Sequence, residues 1–406
     1  MAFWLFCWDV VKSEILELFR EFHLNGTFQR SLNSTFLLLI PKKEGAEDLR
    51  DFRPISLVGS VYKLLAKVLA NRLKSVMGEV IFDSQQAFVH GRQILDVVLI
   101  ANEALDSRLK DNAPGLLFKL DIEKAFDHVN WNFLMDVMSR MGFGHKWINW
   151  MKWCWSTATF SILINGCPTG FFRSSRGLRQ GDPLSPYLFL FAMEALSQLL
   201  SHARNEGFIS GFKVGGRGRE GLIVSHLLFA DDTLIFCDAD AVQLQYLSWT
   251  FMWFETISGL KVNLSKSEAI PVGECPSMES LVSILGLEEG DVSGICPSSP
   301  LHIDTVTPAY ISSNLEYQKP ANDRNDKHKE ANGAAEMESL ETINGHHHTA
   351  LSSCDSFAFT TRFNRRQAAY ADLRQFSCED QSQRSLWAQT FHRVPELQII
   401  RSREFQ

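Results

Sequence analysis

Apolar residues recur at helical or alternating intervals from Trp4 to about Leu287, and turn-forming residues separate the runs. Leu116 to Leu120 is an apolar run that predicts a buried strand. The decapeptide LLFADDTLIF, residues 227–236, predicts two short apolar strands joined in a hairpin whose tip carries Ala230, Asp231 and Asp232. Pro183 to Leu200 is the most apolar long run, but polar residues interrupt it, which favours a buried helix over a membrane span.

The aspartates at the ends of these predicted strands are candidate metal ligands. The strand 116–120 ends at Asp121 and passes into a helix near Val129, with Asp127 as a candidate N-cap. Because a buried carboxylate is costly unless it is paired or binds a metal, the adjacent Asp231 and Asp232 need a partner. Side chains alternate along a strand, so one of these two aspartates is expected to coordinate more directly than the other.

Convergence of Asp121 with Asp231 and Asp232 requires their strands to be neighbours in one sheet. That arrangement would hold divalent cations, and a two-metal Mg²⁺ site aligns an attacking hydroxyl with a leaving pyrophosphate, which predicts nucleotidyl transfer. The alternatives are an ordinary strand-end or capping residue at Asp121 and a polar turn at the aspartate pair.

Two further segments add loop and charge features. Residues 176–200 combine a glycine loop, containing Gly181, with a helix that is expected to have Ser185 as its N-cap and Pro186 at its first position, and to end near Gly207. Residues 36–74 contain eight Lys or Arg against four Asp or Glu, so this stretch is locally basic.

Composition sets the outer bounds. The 406 residues, 45% of them hydrophobic, are enough for two or more domains. Eight scattered cysteines without a C-x-x-C pair indicate a reduced intracellular chain and no zinc site. Beyond residue 287 the chain becomes polar, which is typical of a poorly ordered tail. His346 to His348 within it are interpreted as an incidental run rather than a metal site.

Several motifs together resemble the reverse transcriptases of non-LTR (LINE-type) retrotransposons, most closely those of plants. They are IPKKEG, FRPISL, KLDIEKAFDHVNW, GLRQGDPLSP, FADD and SGLKVNLSKSE, in the family's order, within residues 1 to 287. Several short motifs in order are far more specific than any one of them. The resemblance implies an α+β right-hand polymerase fold, with fingers and an antiparallel palm sheet flanked by helices.

The resemblance also implies roles for individual residues. Asp121 and Asp231 resemble the ligands shared by two Mg²⁺ ions, with Mn²⁺ as a substitute, and Asp232 the more peripheral carboxylate. Lys266 resembles the lysine that protonates the leaving pyrophosphate, although Lys261 is near. The implied substrate-binding residues are Lys42 and Arg53 at the triphosphate, Phe126 as a gate against the ribose 2′-hydroxyl, and Gln180 and Gly181 beside the nucleotide and template. The alternatives are a solvated basic face for Lys42 and Arg53, and plain core packing for Phe126.

The expected organisation is a helical lead-in (1–35), fingers (36–115), a palm with interleaved fingers segments (116–287) and an unrelated tail (288–406). We recognise no endonuclease and no primer grip or thumb, so the chain is expected to be truncated at both ends. The implied partners are an RNA template, a primer strand and dNTPs. No membrane role is expected from the apolar pattern, and the sequence predicts an intracellular chain without deciding between nucleus and cytoplasm. Because nucleic-acid polymerases usually present a basic channel, the net charge of −7 supports a second hypothesis, a catalytically impaired remnant that keeps the fold and at most weak nucleic-acid binding.

Overall fold

The computed structural model describes residues 2–214, 221–275 and 278–286, which form nine α-helices and thirteen β-strands. The helices are α1 (Ala2–Asn25), α2 (Ser60–Val80), α3 (Ile94–Lys110), α4 (Ala125–His128), α5 (Trp131–Arg140), α6 (His145–Ser156), α7 (Ser185–Asn205), α8 (Ala241–Ser258) and α9 (Met278–Ser283). The strands are β1 (Ser34–Pro41), β2 (Phe52–Val58), β3 (Gly115–Leu120), β4 (Ile122–Glu123), β5 (Thr159–Ile164), β6 (Cys167–Pro168), β7 (Phe172–Arg173), β8 (Phe212–Val214), β9 (Leu222–Val224), β10 (His226–Phe229), β11 (Asp232–Asp238), β12 (Lys261–Val262) and β13 (Glu268–Val272).

The central sheet has four antiparallel strands in the order β10-β11-β3-β13. β3 lies in its middle, and the residues of β3 and β11 are almost all buried, which explains why these strands read as continuous apolar runs in the sequence. Helix α7 packs against β10, α5 and α8, and α3 packs against β10 and β13. This helix-covered antiparallel sheet is the palm that the sequence predicts.

A second sheet carries the basic segment of the chain. Its order is β2-β1-β5-β6, with β7 also paired to β5, and β1 runs parallel to β5 but antiparallel to β2. The β1–β2 register places Ile40 opposite Arg53. β1, β2 and α2 lie almost entirely within the segment 36–115 that is predicted to be the fingers, an assignment that stays a prediction. The mixed α+β architecture agrees with a fingers-and-palm polymerase fold.

The strand and hairpin predictions are confirmed. β3 covers the predicted strand and ends at Leu120, directly before Asp121. β10 and β11 form the hairpin, with Phe229 opposite Asp232, so the turn consists of Ala230 and Asp231 while Asp232 already belongs to the second strand. Helix α7 is buried along most of its length and ends two residues before Gly207, as expected.

Two helix caps differ from the sequence prediction. Asp127 is not an N-cap: it lies inside α4, and Asn130 caps α5 instead, where its side-chain oxygen accepts hydrogen bonds from the backbone N–H groups of Asn132 and Phe133. Ser185 is the first residue of α7 rather than its cap. Leu184 is the cap residue and has no capping side chain, and its own N–H donates to the Asp182 carboxylate at 2.9 Å.

Several other predictions lie outside the described residues or are untested. The tail from 288 to 406, including the histidine run, is not among the described residues. The boundaries of the four predicted segments and the missing thumb stay predictions. None of the described helices combines the length and the apolar composition that crossing a membrane requires.

Candidate active site

Two carboxylates meet at one end of the palm sheet. Asp121 follows β3 directly, and the register pairs Leu120 with Thr233 of β11, so the turn between β10 and β11 lies beside Asp121. Asp121, Asp231 and Asp232 are all half-buried. The condition that the sequence left open, that the two strands are neighbours in one sheet, is therefore met, and the fold brings together residues about 110 positions apart in the chain.

The electrostatics of Asp231 show that the two carboxylates interact. Burial raises the pKa of Asp231, and the negative charge of Asp121 raises it further, whereas a backbone hydrogen bond to the carboxylate and the positive charges of Lys266 and Arg53 oppose the increase. The two effects that raise the pKa reflect the cost of placing a second negative charge in a partly desolvated site. A cation between Asp121 and Asp231 would relieve that cost.

Asp121 is held by residues that the sequence reasoning missed. The Asn263 Nδ2 amide donates to Asp121 Oδ2 at 3.0 Å, and the Asn263 N–H donates to the Asp121 carbonyl oxygen at 2.8 Å. The Asp121 N–H in turn donates to Ser267 Oγ at 3.2 Å. The signal was present in the sequence, because Asn263 and Ser267 flank Lys266 in the motif that carries the family resemblance.

The basic residues of the site are divided between two places. Lys266 Nζ lies 3.7 Å from Asp121 Oδ2, with its side chain 68% exposed, and Arg53 on β2 is close enough to Asp231 to affect its pKa. Lys42 instead donates to the carbonyl oxygen of Arg50 at 2.9 Å. Burial raises the pKa of Asp127, and the positive charge of Lys42 is among those that oppose this increase, so the charge of Lys42 acts on Asp127.

The glycine loop links the fingers to the palm. The Ser56 N–H of β2 donates to the Gln180 carbonyl oxygen at 2.9 Å, and a Cβ on Gly181 would lie 3.1 Å from the Ser56 carbonyl oxygen. At the other end of the loop, the Gly177 N–H donates to the Val129 carbonyl oxygen and the Trp131 Nε1 donates to the Gly177 carbonyl oxygen, each at 2.8 Å. The loop is therefore fixed by backbone contacts on both sides.

The surroundings of Phe126 agree both with packing in the core and with a role as a sugar gate. Its ring stacks on Phe189 of α7, with centroids 5.0 Å apart, and its carbonyl oxygen accepts from the Leu178 N–H at 2.6 Å. The side chain is nevertheless only half-buried. Packing against the core is thus shown, and the role as a sugar gate stays a prediction.

Gly177→Ala is expected to destabilise the protein strongly, because a Cβ there would lie 2.5 Å from the Asp127 carbonyl oxygen at a φ of +88°. We expect a loss of about 2–4 kcal/mol in the free energy of unfolding, combining a left-handed backbone with overpacking. The measurement is urea unfolding followed by circular dichroism.

Gly166→Ala is the matched control for this substitution. Gly166 has a similar φ of +79°, but a Cβ there would have no atom within 4 Å. We expect only the backbone cost of about 1–2 kcal/mol. Equal losses for the two variants would contradict the close approach of the loop to Asp127.

The donor set at the palm fits a divalent cation that also binds substrate. Among the described residues, no group of three or more His, Cys, Asp or Glu side chains is arranged to hold a metal. Asp121 and Asp231 nevertheless form a pair of mutually repelling carboxylates, and Mg²⁺ in such sites is held by one or two carboxylates together with substrate phosphates. These two residues would therefore hold the metal, and the contribution of Asp232 stays a prediction.

As the pH falls, metal binding is expected to be lost at a higher pH than at a site whose aspartates have their usual pKa. The pKa of Asp231 is raised, so its carboxylate takes up a proton earlier as the pH falls, and only the charged form binds a cation. Mn²⁺ titrations from pH 8 to pH 4 should show affinity falling through a midpoint above the usual aspartate range. Removing the positive charge with Lys266→Met should shift that midpoint further upward, and a downward shift would contradict the assigned electrostatics.

Comparison with known proteins agrees with the motifs. The family model described as reverse transcriptase (RNA-dependent DNA polymerase) matches residues 40–288. The chain is 30% identical over 273 residues to the transposon TX1 uncharacterized 149 kDa protein of Xenopus laevis, an alignment that covers 67% of this chain and 20% of that protein. It is 29% identical over 269 residues to the Pol polyprotein of the type-1 retrotransposable element R2 of Nasonia vitripennis, covering 64% and 23%.

The chain thus spans about a fifth of the length of these curated relatives. Among solved structures, it resembles apo telomerase from Candida tropicalis truncated from its C-terminal domain, with a TM-score of 0.42 and 16% identity, over 62% of this chain and 52% of that one.

Proposed function

Since the chain belongs to the reverse transcriptase (RNA-dependent DNA polymerase) family, we propose that its described part is an RNA-directed DNA polymerase that extends a primer strand with dNTPs on an RNA template. The observation that carries this proposal is the meeting of Asp121 and Asp231 at the end of an antiparallel palm sheet, with Lys266 and Arg53 beside them. Its relatives by sequence include proteins of non-LTR retrotransposons, so the chain is similar to the polymerase part of such elements.

In the proposed reaction, the primer 3′-hydroxyl attacks the α-phosphorus of a dNTP, a new phosphodiester bond forms, and pyrophosphate leaves. Two Mg²⁺ ions, or Mn²⁺ in their place, would lower the pKa of the attacking hydroxyl and stabilise charge on the leaving oxygen. Asp121 and Asp231 would hold them, with Asp232 as the more peripheral carboxylate. Asn263 fixes the Asp121 carboxylate in place through its side-chain amide.

The remaining residues are proposed to bind and orient the substrate. Arg53 would contact the triphosphate, since it already affects the pKa of Asp231 at the site. Lys42 would do so only after leaving the Arg50 carbonyl oxygen to which it now donates. Lys266, next to Asp121 and largely exposed, would give a proton to the leaving pyrophosphate.

We propose that the glycine loop contacts the template and that Phe126, beside the loop, selects the sugar of the nucleotide. Gln180 and Gly181 would lie against the nucleotide and template, where the backbone of β2 already approaches Gly181 closely. Phe126 would exclude a ribose 2′-hydroxyl. Its stacking on Phe189 supports this role by limiting the positions that the ring can take.

The alternative is a remnant that keeps the fold without productive synthesis. The net charge of −7 favours it, because phosphate contacts with basic residues supply most non-specific affinity for nucleic acid. The plant LINE-type origin of the polymerase is likewise a proposal and rests on the motifs. A phylogeny that places the domain outside the plant elements would contradict the origin.

The deciding experiment supplies the purified chain with an RNA template, an annealed DNA primer, dNTPs and Mg²⁺ or Mn²⁺. Extension of the primer by the templated nucleotides supports the polymerase. If the folded chain, verified by circular dichroism, extends no primer with either metal at low salt, the polymerase proposal fails and the remnant stands.

A further inference from the structure

The turn that carries Asp231 has an unusual backbone conformation. Ala230 is buried and has a φ of +59°, in the left-handed region that residues with a Cβ rarely adopt. Such a conformation persists only when surrounding contacts hold it in place. Since Ala230 is bonded to Asp231, whatever fixes the left-handed residue also sets the position of the carboxylate.

The side chain of Gln85 makes that contact from outside the palm sheet. Gln85 Oε1 accepts a hydrogen bond from the Ala230 N–H at 3.0 Å and another from the Ala87 N–H at 3.0 Å. The side chain is only 1% exposed. Both partners are backbone donors, so the assignment of the oxygen is fixed, because only a carbonyl oxygen accepts from both.

The segment around Gln85 is itself firmly attached to the hairpin. The Leu228 N–H of β10 donates to the Ser84 carbonyl oxygen at 2.7 Å, and the Gln86 N–H donates to the Leu228 carbonyl oxygen at 3.0 Å. The Ser84 hydroxyl is 2.7 Å from that of Ser197 on α7. Gln85 therefore reaches the turn from a rigid base, which a residue needs in order to position another.

The amide nitrogen of Gln85 shows that the hydrogen bonds of this side chain are made by its oxygen. Gln85 Nε2 is buried and has no hydrogen-bond partner among the described residues. A buried donor without a partner is unfavourable, so an amide would not be tolerated here for packing alone. The compensating interaction is at Oε1, where the amide holds two backbone N–H groups.

From these contacts we propose that Gln85 is a positioning residue: its carbonyl oxygen fixes the left-handed turn so that the Asp231 carboxylate is preorganised beside Asp121 for the catalytic cation. The catalytic part of this inference rests on the proposed polymerase function. Its structural content, the hold on the Ala230 amide, can be measured without catalysis.

Gln85→Met tests the proposal, because it keeps the length of the side chain and removes the acceptor. We expect kcat for primer extension and the affinity for Mn²⁺ to fall about 10–100-fold, as for losses of partners that support metal ligands, with little change in KM for primer–template. Amide hydrogen exchange in a peptide covering residues 227–235 should become faster. Gln85→Glu, which keeps an acceptor oxygen, should recover part of the loss.

Gln86→Met is the matched control. Gln86 is the next residue, is 7% exposed, and its side chain donates to the Asp83 carbonyl oxygen rather than to the hairpin. The Gln86→Met variant should have kcat, Mn²⁺ affinity and hydrogen exchange in the hairpin close to those of the wild type. Thermal unfolding of both variants separates a general loss of stability from a local one.

Two outcomes separate this proposal from the polymerase proposal. If the wild type extends primers and folded Gln85→Met does so equally well, with unchanged Mn²⁺ affinity, the positioning role is wrong and the enzyme remains. If neither the wild type nor any variant extends primers, hydrogen exchange at the hairpin and Mn²⁺ affinity still decide whether Gln85 positions the turn. Unchanged exchange in Gln85→Met relative to Gln86→Met would overturn the role of Gln85.

Discussion

Asp231→Asn is expected to reduce primer extension by about 10³-fold or more, since metal stabilisation of the transition state contributes several kcal/mol. The substitution keeps the shape of the side chain and removes the charge. At this position that charge is costly before a metal binds, because burial and the neighbouring Asp121 both raise the pKa of Asp231. The protein tolerates this cost only if the charge is used, so removing it should cost activity while leaving stability unchanged or improved.

The measurement is steady-state extension of an annealed primer, with thermal unfolding of the same preparation. Asp111→Asn is the control, since Asp111 is an exposed aspartate that follows α3 and precedes the opposite end of β3. It should leave kcat unchanged. Activity within tenfold of the wild type in Asp231→Asn would show that Asp231 is not a metal ligand in the reaction.

The second large effect concerns stability. Arg179 belongs to the glycine loop and its side chain is buried. Its guanidinium donates to Asn33 Oδ1 at 2.7 Å and to the Cys154 carbonyl oxygen at 3.0 Å, and pairs with Asp182 at 2.8 Å. It also lies over the ring of Tyr62, whose hydroxyl donates to Asp182 at 2.8 Å. This network connects α2, α6 and the residue that precedes β1 to the loop and to the beginning of α7.

Arg179→Met should lower the free energy of unfolding by about 3–5 kcal/mol, because it leaves the buried Asp182 carboxylate without its cation. Chemical denaturation provides the measurement. Lys110→Met serves as the control, since Lys110 forms an exposed i,i+4 pair with Asp106 and should leave the unfolding midpoint unchanged.

A double variant identifies the cause. If the loss arises from the unpaired charge, adding Asp182→Asn to Arg179→Met should recover part of the stability. A double variant as unstable as the sum of the single ones would instead assign the loss to packing around Tyr62 and Cys154.

What the sequence determined by itself is the local structure and the chemistry at the ends of the strands. The apolar run of β3, the hairpin with charges at its tip and the buried helix α7 all follow from patterns that extend over a few residues. Ordered motifs identified the family, which the family model confirms. The caps were wrong at Asp127 and displaced by one residue at Ser185, because capping depends on which nearby oxygen reaches an N–H and not on residue type alone.

What only the tertiary structure decided is how the reactive residues are held. The bonds from Asn263 to Asp121, from Ala230 to Gln85 and from Arg179 to Asn33 join residues 142, 145 and 146 positions apart. No periodicity or spacing records such a pairing, because each depends on the packing of separate elements. The sequence alone therefore indicates which carboxylates are candidate metal ligands, whereas the folded chain decides that β3 and β11 are neighbours, that Asn263 fixes Asp121 and that Gln85 holds the turn before Asp231.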